Sequence, residues 1–399
     1  MLKKHKRLVF IGTRNDVLEQ ANQLGIEAIL IQKREHLRSH HYKLADRVYV
    51  LDTHDATSII SLIKRMHQES PLDGVVSFVE EALITAAQCE EMMGIKRNSV
   101  DTVKTLQDKG KMRSLLQLSH FPSCKYRIGS SIKDLYSFPF PFIVKPLDGN
   151  GSRDVFVIKS RKDLESLAPI ILEKLPTFLL EEYLRGIEVS VESFSFNGKH
   201  MVLAITDKVL FPNFVERGHA MPSLLPSRVQ YQIIEYVKSF LDLVGLQEGP
   251  SHTELFLTPE GPRIVESHNR LGGDKINELY KYAYGENMLT LFLAWTAGII
   301  SPWLKPPRAT SGAAIRFFAP APGRVLSISG IERVSQDPSI PFIELKLNEQ
   351  DTVTEIFHSF DRVGCLIATG ENTEDAVTKA ESAVQDIKII TEPVRENRI

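Results

Sequence analysis

Cysteine is scarce in this chain. The three present among 399 residues, Cys89, Cys124 and Cys365, are far apart and form no CxxC pair, which argues against a disulfide framework or a cysteine-rich zinc site and fits a reducing cytosol. An excess of charge is missing too, since 48 Lys and Arg against 50 Asp and Glu leave −2. With no basic stripe interleaved with aromatics, nucleic acid is not expected as a partner. Long apolar runs are also absent. The most apolar stretch, Met288–Ile300, is shorter than a bilayer span and carries Thr290, Thr296 and Gly298, so it reads as a buried helix. The basic start Met1–Arg7 is followed by Leu8–Ile11 and then Gly12, too short an apolar run for an export signal. A cytoplasmic protein that is not embedded in a membrane is expected. What is present, 43% hydrophobic and 25% charged residues, is the balance of a globular chain long enough for two or three domains.

Apolar runs alternate with helical patterns from the start: Leu8–Ile11, Asp16–Leu24, Ala28–Ile31, Val48–Leu51, Thr57–His67, Val75–Val79 and Ala82–Met93. That alternation predicts a βαβ parallel sheet. Gly12-Thr13-Arg14 after the first run lacks the rest of a GxGxxG fingerprint, so a scaffold, substrate wall or dimer surface is the better reading than a dinucleotide site. A charged helix is expected over Val103–Leu118. Strands at Phe142–Val144, Val155–Ile158, Phe178–Leu180, Val189–Phe194 and Met201–Ile205, with helices at Lys162–Leu175 and Arg228–Val244, predict an α+β middle region. The segment Gly312–Thr391 is strand-rich with one late helix, Glu374–Ile387.

The loop Asp148-Gly149-Asn150-Gly151-Ser152-Arg153-Asp154 follows a strand ending at Lys145. Glycines admit phosphate oxygens close to backbone N–H groups and a lysine adds a point charge, so the loop is a candidate triphosphate cradle; an ordinary Gly-Asn-Gly hairpin is the alternative. Lys109 is a second candidate phosphate ligand, or else a solvated helix charge. The run Phe178–Glu188 reads as strand, connector, strand. Such a connector can offer backbone groups to an adenine edge and an acidic side chain to ribose hydroxyls, unless it is a charged surface hairpin.

The segments 252–257 and 263–270 flank the turn Thr258-Pro259-Glu260-Gly261-Pro262. A hairpin centred on Glu260 sets Glu254 directly opposite Glu266, with Cβ atoms about 5 Å apart. Like charges so close are destabilising, and a hard cation bridging them would justify the arrangement; a solvated acidic edge is the alternative. A one-residue slip in pairing would send the glutamates to opposite faces. Asn269 offers a further oxygen. Glu216 and His219 sit in a loop-like stretch, where a carboxylate and an imidazole three residues apart could hold a substrate ammonium, or serve structure alone.

In this order, paired phosphate lysines, a Gly-rich loop, an adenine connector, and two metal glutamates followed by Asn-Arg resemble the ATP-grasp superfamily. The resemblance covers nearly the whole chain, including Pro322-Gly323-Arg324-Val325 and Asp361-Arg362-Val363-Gly364 in the tail. Within that superfamily the chain looks most like bacterial L-amino acid ligases, which make dipeptides; the narrower match rests on Phe214–Ser223, Ser251–Glu254, Glu266–Arg270 and Gly272-Gly273. The implied architecture is a multidomain α/β and α+β chain with the ATP-grasp fold. Residues 1–105 would form a Rossmann-like parallel-sheet domain, 106–185 the ATP-grasp subdomain with the Gly-rich loop, 186–310 the subdomain with the metal and substrate site, and 311–399 a C-terminal domain completing the catalytic unit.

Carried over by motif, the resemblance implies ATP and Mg²⁺, with Mn²⁺ substituting, as cofactors. Lys109 and Lys145 would bind phosphate beside Gly149, Gly151 and Ser152. Glu181, Glu182, Tyr183 and Leu184 would clasp adenine, mostly through backbone, and Glu188 would take the ribose. Glu254 and Glu266 would hold the metal with Asn269 as helper. Arg270 would stabilise charge on an acyl phosphate and a tetrahedral intermediate, acting with Lys145 in catalysis. Glu216 and His219 would grip an amino acid, with the Gly272-Gly273 backbone near a carboxylate. The implied reaction joins two L-amino acids through an aminoacyl phosphate. Carboxylases and other ligases of the biotin carboxylase and purine-pathway type use the same ATP machinery and are the second reading; an ATP-binding sensor is the non-enzymatic one. Homodimers are common in the superfamily, although no interface is legible in this chain. Asp154 departs from the pattern, standing where many members have a second glycine, which bears on loop closure.

Overall fold

The computed structural model describes residues 6–149, 151–211 and 213–393. Residues 1–5 of the basic start and Asn150 of the Gly-rich loop lie outside them. The first four apolar runs form strands β1 (Lys6–Ile11), β2 (Ile26–Gln32), β3 (Arg47–Val50) and β4 (Gly74–Ser77), all parallel in the order β3-β2-β1-β4. Ile59 and Ile63 of the helix Ala56–Glu69 cover one face at Val9, Ile11 and Ile29. Over the opposite face, Leu289 and Leu293 join Leu8, Phe10 and Leu30. Those two leucines belong to the helix Met288–Thr296, the apolar stretch expected to be buried, so the N-terminal sheet, whose last strand ends at Ser77, depends on residues far downstream for part of its cover. Among the described residues no helix is long and apolar enough to cross a membrane.

The charged helix expected over Val103–Leu118 is two helices, Val100–Gln107 and Lys109–Leu118. The break falls at Asp108, whose extended backbone lets its carboxylate accept from the Lys111 N–H, capping the second helix. Capping thereby places Lys109 in the first turn of a new helix. A four-stranded antiparallel sheet follows, β5 (Tyr126–Gly129), β6 (Phe142–Lys145), β7 (Phe156–Ile158) and β8 (Phe178–Glu182), in the order β5-β8-β6-β7.

The largest sheet has eight strands: β9 (Ile187–Phe196), β10 (Lys199–Leu210), β11 (Glu216–Met221), β12 (Gly249–Thr258), β13 (Gly261–His268), β14 (Gly312–Phe317), β16 (Phe342–Leu345) and β18 (Gly364–Gly370). Its order is β13-β12-β9-β10-β11-β14-β18-β16, so it runs without interruption across residues 310/311. A small sheet of β15 (Gly323–Ser329), β17 (Thr352–Val353) and β19 (Lys388–Glu392) lies outside it. On one face, Val189, Val191, Leu255 and Ile264 pack against Ile233, Val237, Phe240 and Leu241 of the helix Ser227–Leu243. Alternation along β9 sends Glu188, Ser190 and Glu192 to the other face. Glu216 and His219, expected in a loop, stand in β11, paired with β10 through Lys208↔His219.

Glu254 does face Glu266, by a different route from the one expected. The loop is the two-residue Pro259-Glu260, with Gly261 at φ +105° in the next position, and near it Thr258 pairs with Gly261 and Leu255 with Ile264. Continued unbroken, the alternation of those pairs would leave Val265 opposite Glu254. A bulge between Glu254 and Leu255 absorbs Val265 as an extra residue and brings Glu266 opposite Glu254 instead. The carbonyl of Val265 accepts from Arg113 Nη2 at 3.0 Å.

Gly312 opens β14, which joins the C-terminal segment to the large sheet. A Cβ there would stand 2.2 Å from the carbonyl carbon and oxygen of Asn372, backbone atoms that cannot swing aside. Gly312→Ala is expected to destabilise the protein by about 1–3 kcal/mol, the usual range for overpacking. A thermal midpoint equal to that of the unaltered protein would refute this close approach.

Candidate active site

One cavity of about 460 Å³ gathers most of the singled-out residues. Lys109 lines it from the head of its helix, Lys145 from the end of β6, and Gly149, Gly151 and Ser152 from the Gly-rich loop; Glu181, Glu182, Leu184 and Glu188 from the connector and its flanking strands; Glu254, Glu266, Arg270, Gly272 and Gly273 from the hairpin and the segment after it; and Glu216 and His219 from β11. Tyr183 and Asn269 are not brought to it. The Tyr183 N–H donates to Pro141 O and its ring packs edge-on against Phe214. Asn269 lines a separate small cavity beside Trp295, and its buried Oδ1 finds no partner among the described residues. The reason is strand alternation: Glu266, His268 and Arg270 share the cavity face, and an odd offset from Glu266 turns Asn269 the other way.

At the phosphate-loop end, Lys109 Nζ reaches Glu266 Oε2 at 2.9 Å and Gly149 O at 3.0 Å. Lys145 Nζ lies 2.7 Å from Glu181 Oε2, whose other oxygen receives Arg113 Nε at 2.6 Å. The Glu181 side chain is therefore a buried counter-ion between Arg113 and Lys145. Asp154, the departure from the family pattern, has φ +54°, a backbone position that Asp tolerates better than most residues, and Lys174 holds its carboxylate at 2.8 Å.

The paired glutamates form the centre. Ser190, Glu254 and Glu266 make one row across β9, β12 and β13; Glu192, His252 and His268 make the next. Glu254 is bonded by Lys208 at 3.0 Å and by His252 Nε2 at 3.1 Å, Glu266 by Lys109 and by His268 Nε2 at 3.2 Å. Burial works against charge on Glu254, yet Lys208 and His252 outweigh it and hold the carboxyl down at about 2. Glu266 is likewise held well below the usual range against burial, chiefly by Lys109 and His268. Both carboxylates are thus ionised at neutral pH. Both ring nitrogens of His252 face carboxylate oxygens, which only accept; burial opposes its charge, but Glu192 and Glu254 push it up to about 10. Lys208, 1% exposed, serves Glu188 and Glu216 as well as Glu254. With one ammonium among three carboxylates, burial raises Glu188 to about 7 even though Lys208 pulls it down.

The donor set fits a divalent cation of the magnesium kind. Among the described residues there is no cage of three or more carboxylate, imidazole or thiol groups. Mg²⁺ characteristically binds through one or two carboxylates and completes its octahedron with water and phosphate oxygens. Two ionised carboxylates facing the Gly-rich loop offer that number of carboxylates.

At the opposite end, Glu216 Oε2 accepts from Ser359 Oγ at 2.8 Å and His219 Nε2 lies 3.0 Å from Asp274 Oδ2. Arg362 is bidentate on Asp274, and its guanidinium stacks over the Phe317 ring at 3.7 Å. The N-terminal domain supplies Glu80, which reaches His268 Nδ1 at 3.2 Å and Arg270 Nε at 2.7 Å. Sequence reasoning missed Glu80, Arg113, Glu192, Lys208, His252, His268, Asp274 and Arg362. Alternation around Glu254 and Glu266 would have found the two histidines, and alternation from Glu188 along β9 would have found Glu192; nothing local marks Glu80 or Lys208.

Comparison with known proteins follows the same lines. Models of the ATP-grasp N-terminal domain, the ATP-grasp domain and the L-amino acid ligase C-terminal domain 2 match residues 18–95, 138–278 and 316–392. The chain is 22% identical to the uncharacterized protein y4rH of Sinorhizobium fredii, over 96% of this chain and 83% of that one. It is 24% identical to an L-arginine-specific L-amino acid ligase of Bacillus subtilis, over 78% of each. The crystal structure of an L-amino acid ligase from Bacillus licheniformis superposes with a TM-score of 0.85 at 22% identity, covering 98% of this chain and all of that one, and so shares its fold. The chain belongs to the ATP-grasp superfamily, in its class of ATP-dependent carboxylate–amine ligases. Its C-terminal segment is the L-amino acid ligase type.

Glu80 carries a pH signature. Burial raises its carboxyl, but His268 and Arg270 more than reverse this, taking it from 4.5 to about 2. A depressed folded-state value stabilises the protein above the unfolded-state value, and that stability fades as pH falls through the folded one. The thermal-midpoint advantage of the unaltered protein over Glu80→Gln is expected to hold at pH 6 and to shrink steadily below about pH 4.5. A gap independent of pH between 6 and 3 would contradict the assignment.

Proposed function

We propose that the protein is an L-amino acid ligase that joins two L-amino acids into a dipeptide while converting ATP to ADP and phosphate. The observation that carries this reading is the continuity of a single cavity. It runs from the lysines and Gly-rich loop, past the opposed glutamates and Arg270, to Glu216, His219, Asp274 and Arg362. Phosphate chemistry and a polar pocket for a charged organic acid are thereby placed within one enclosure.

In this reading the backbone N–H groups of Gly149, Gly151 and Ser152, with Lys109 and Lys145, take the phosphates. The backbone of Glu181, Glu182 and Leu184 meets adenine, and Glu188 meets the ribose. Glu254 and Glu266 would hold Mg²⁺, or Mn²⁺ in its place, which would supply positive charge to the triphosphate. Lys109, bonded to both Glu266 and the Gly149 carbonyl, stands between the glutamate pair and the Gly-rich loop. The γ-phosphoryl group passes to the carboxylate of the first amino acid. The neutral amine of the second then attacks the acyl phosphate carbon, the carbon–oxygen bond to phosphate breaks, and the amine proton is lost to give the amide. Arg270, fixed by Glu80 and by the Leu271 carbonyl, supplies positive charge to the acyl phosphate and to the tetrahedral intermediate. Glu216 and His219 hold the amino acid, with the Gly272-Gly273 backbone facing a carboxylate. No protein nucleophile is needed, and an enclosed site protects the acyl phosphate from water.

The test is phosphate release from Mg-ATP against all twenty L-amino acids, singly and in pairs, with mass spectrometry of the products. Pair-dependent release with a dipeptide mass is expected; release that requires bicarbonate would favour the carboxylase reading. In the same assay Glu266→Gln is expected to abolish turnover, and Arg270→Ala to lower kcat by about 10²-fold or more with ATP affinity little changed. Full activity of Glu266→Gln would remove the paired-carboxylate argument.

A further inference from the structure

The two rows across β9, β12 and β13 differ in kind. The first contains the opposed glutamates. The second, Glu192, His252 and His268, lies one step deeper and has no part in the reaction as described. Glu192 is 2% exposed, yet among the described residues its carboxylate pairs with a histidine and with no lysine or arginine. Its Oε1 accepts from Ser190 Oγ at 2.9 Å and Thr206 Oγ1 at 3.4 Å, and both its oxygens face His252 Nδ1, at 3.1 and 2.9 Å. The other nitrogen of the ring bonds Glu254 Oε1 at 3.1 Å. A buried carboxylate is costly unless its acceptors are satisfied, and here three polar groups, Glu192, Ser190 and Thr206, hold one imidazole against Glu254.

A second observation joins the same pair to the segment after Arg270. A Cβ on Gly272 would lie 2.8 Å from His252 Nδ1 and 3.1 Å from Glu192 Oε2. The first glycine of Gly272-Gly273 is therefore packed directly on the Glu192–His252 contact. Any larger residue would push the ring off its line to Glu254. Lys208 holds the remaining oxygen, Oε2, at 3.0 Å, but as a point charge on a flexible stem it sets no plane. The ring, fixed on both nitrogens, does.

We propose that Glu192 and His252 are positioning residues that fix the carboxylate plane of Glu254 for a divalent cation, and that Gly272 is small to leave that pair undisturbed. The inference rests on the metal role given to Glu254 above. Groups hydrogen-bonded to metal ligands commonly contribute about 10–100-fold to metal affinity or activity, and this pair has the geometry to do so.

The experiment measures Mn²⁺ binding to the full-length protein by calorimetry with ADP present, ADP binding without metal, and the thermal midpoint. The variants are Glu192→Gln, His252→Asn, Gly272→Ala and, as reference, Glu254→Gln. Glu192→Gln and His252→Asn are expected to weaken Mn²⁺ binding by about 10–100-fold, to leave metal-free ADP affinity unchanged, and to recover most of kcat at high Mn²⁺. Gly272→Ala is expected to shift Mn²⁺ affinity in the same direction by less, which keeps the proposal testable where Glu192 variants fold poorly. Unchanged Mn²⁺ affinity in all three, with loss in Glu254→Gln, would overturn the positioning role alone. Loss of metal-free ADP binding in step with Mn²⁺ binding and midpoint would overturn it as well, marking a purely structural pair. Mn²⁺ binding retained by Glu254→Gln would instead overturn the metal reading on which the inference stands.

Discussion

Repulsion between Glu254 and Glu266 is the constraint around which the site is organised. Two ionised carboxylates about 5 Å apart repel by about 3 kcal/mol at an effective dielectric constant near 20, a large fraction of the net stability of an ordinary domain. Neither escapes by taking up a proton, since both carboxyls are held far below their usual range. The compensating groups arrive from different parts of the chain: Lys109 from the head of a capped helix, Lys208 from β10, and the two histidines from the same strands as the glutamates. These four cationic or hydrogen-bonding partners are what makes the close carboxylates tolerable in the folded chain.

The same cluster ties the three stretches of the chain together. Glu80 at the end of the parallel sheet bonds His268 and Arg270, so the N-terminal domain reaches the chemical centre although it has no nucleotide fingerprint of its own. From the C-terminal segment, the Ser359 N–H donates to Gly151 O, Ser359 Oγ bonds Glu216, and Arg362 clasps Asp274. The Gly-rich loop and the Glu216–Asp274 end of the cavity thus share one short C-terminal turn. The continuous eight-stranded sheet makes this arrangement rigid, because β11, which carries Glu216 and His219, pairs directly with β14.

Much of this was legible beforehand where local pattern and tertiary structure agree. Aliphatic runs spaced by helical patterns identified the parallel sheet, and the order of lysines, Gly-rich loop and glutamates identified the superfamily. The facing of Glu254 and Glu266 was anticipated, but from a turn centred on Glu260; the hairpin has its turn one step away and regains the pairing through the bulge at Val265. Asn269 was misplaced because its nearness in sequence to Glu266 was weighed without the two-residue alternation of an extended chain. The region around Glu216 looked like a loop because Arg217 and Gly218 interrupt any apolar pattern. It is a strand because β10 and β14 satisfy its backbone on both sides.

Periodicity and residue chemistry are local properties, so the sequence by itself determined the class of fold, the pair of lysines beside the Gly-rich loop and the acidic pair. Tertiary structure alone decided which groups neutralise which. Lys208 meets three carboxylates from three other strands, Glu80 crosses from another domain, and the helix Met288–Thr296 covers a sheet begun at residue 6. Such pairings depend on the order of strands within a sheet and on a one-residue bulge. Both are set by the free energy of the whole packed core, which no window of sequence contains.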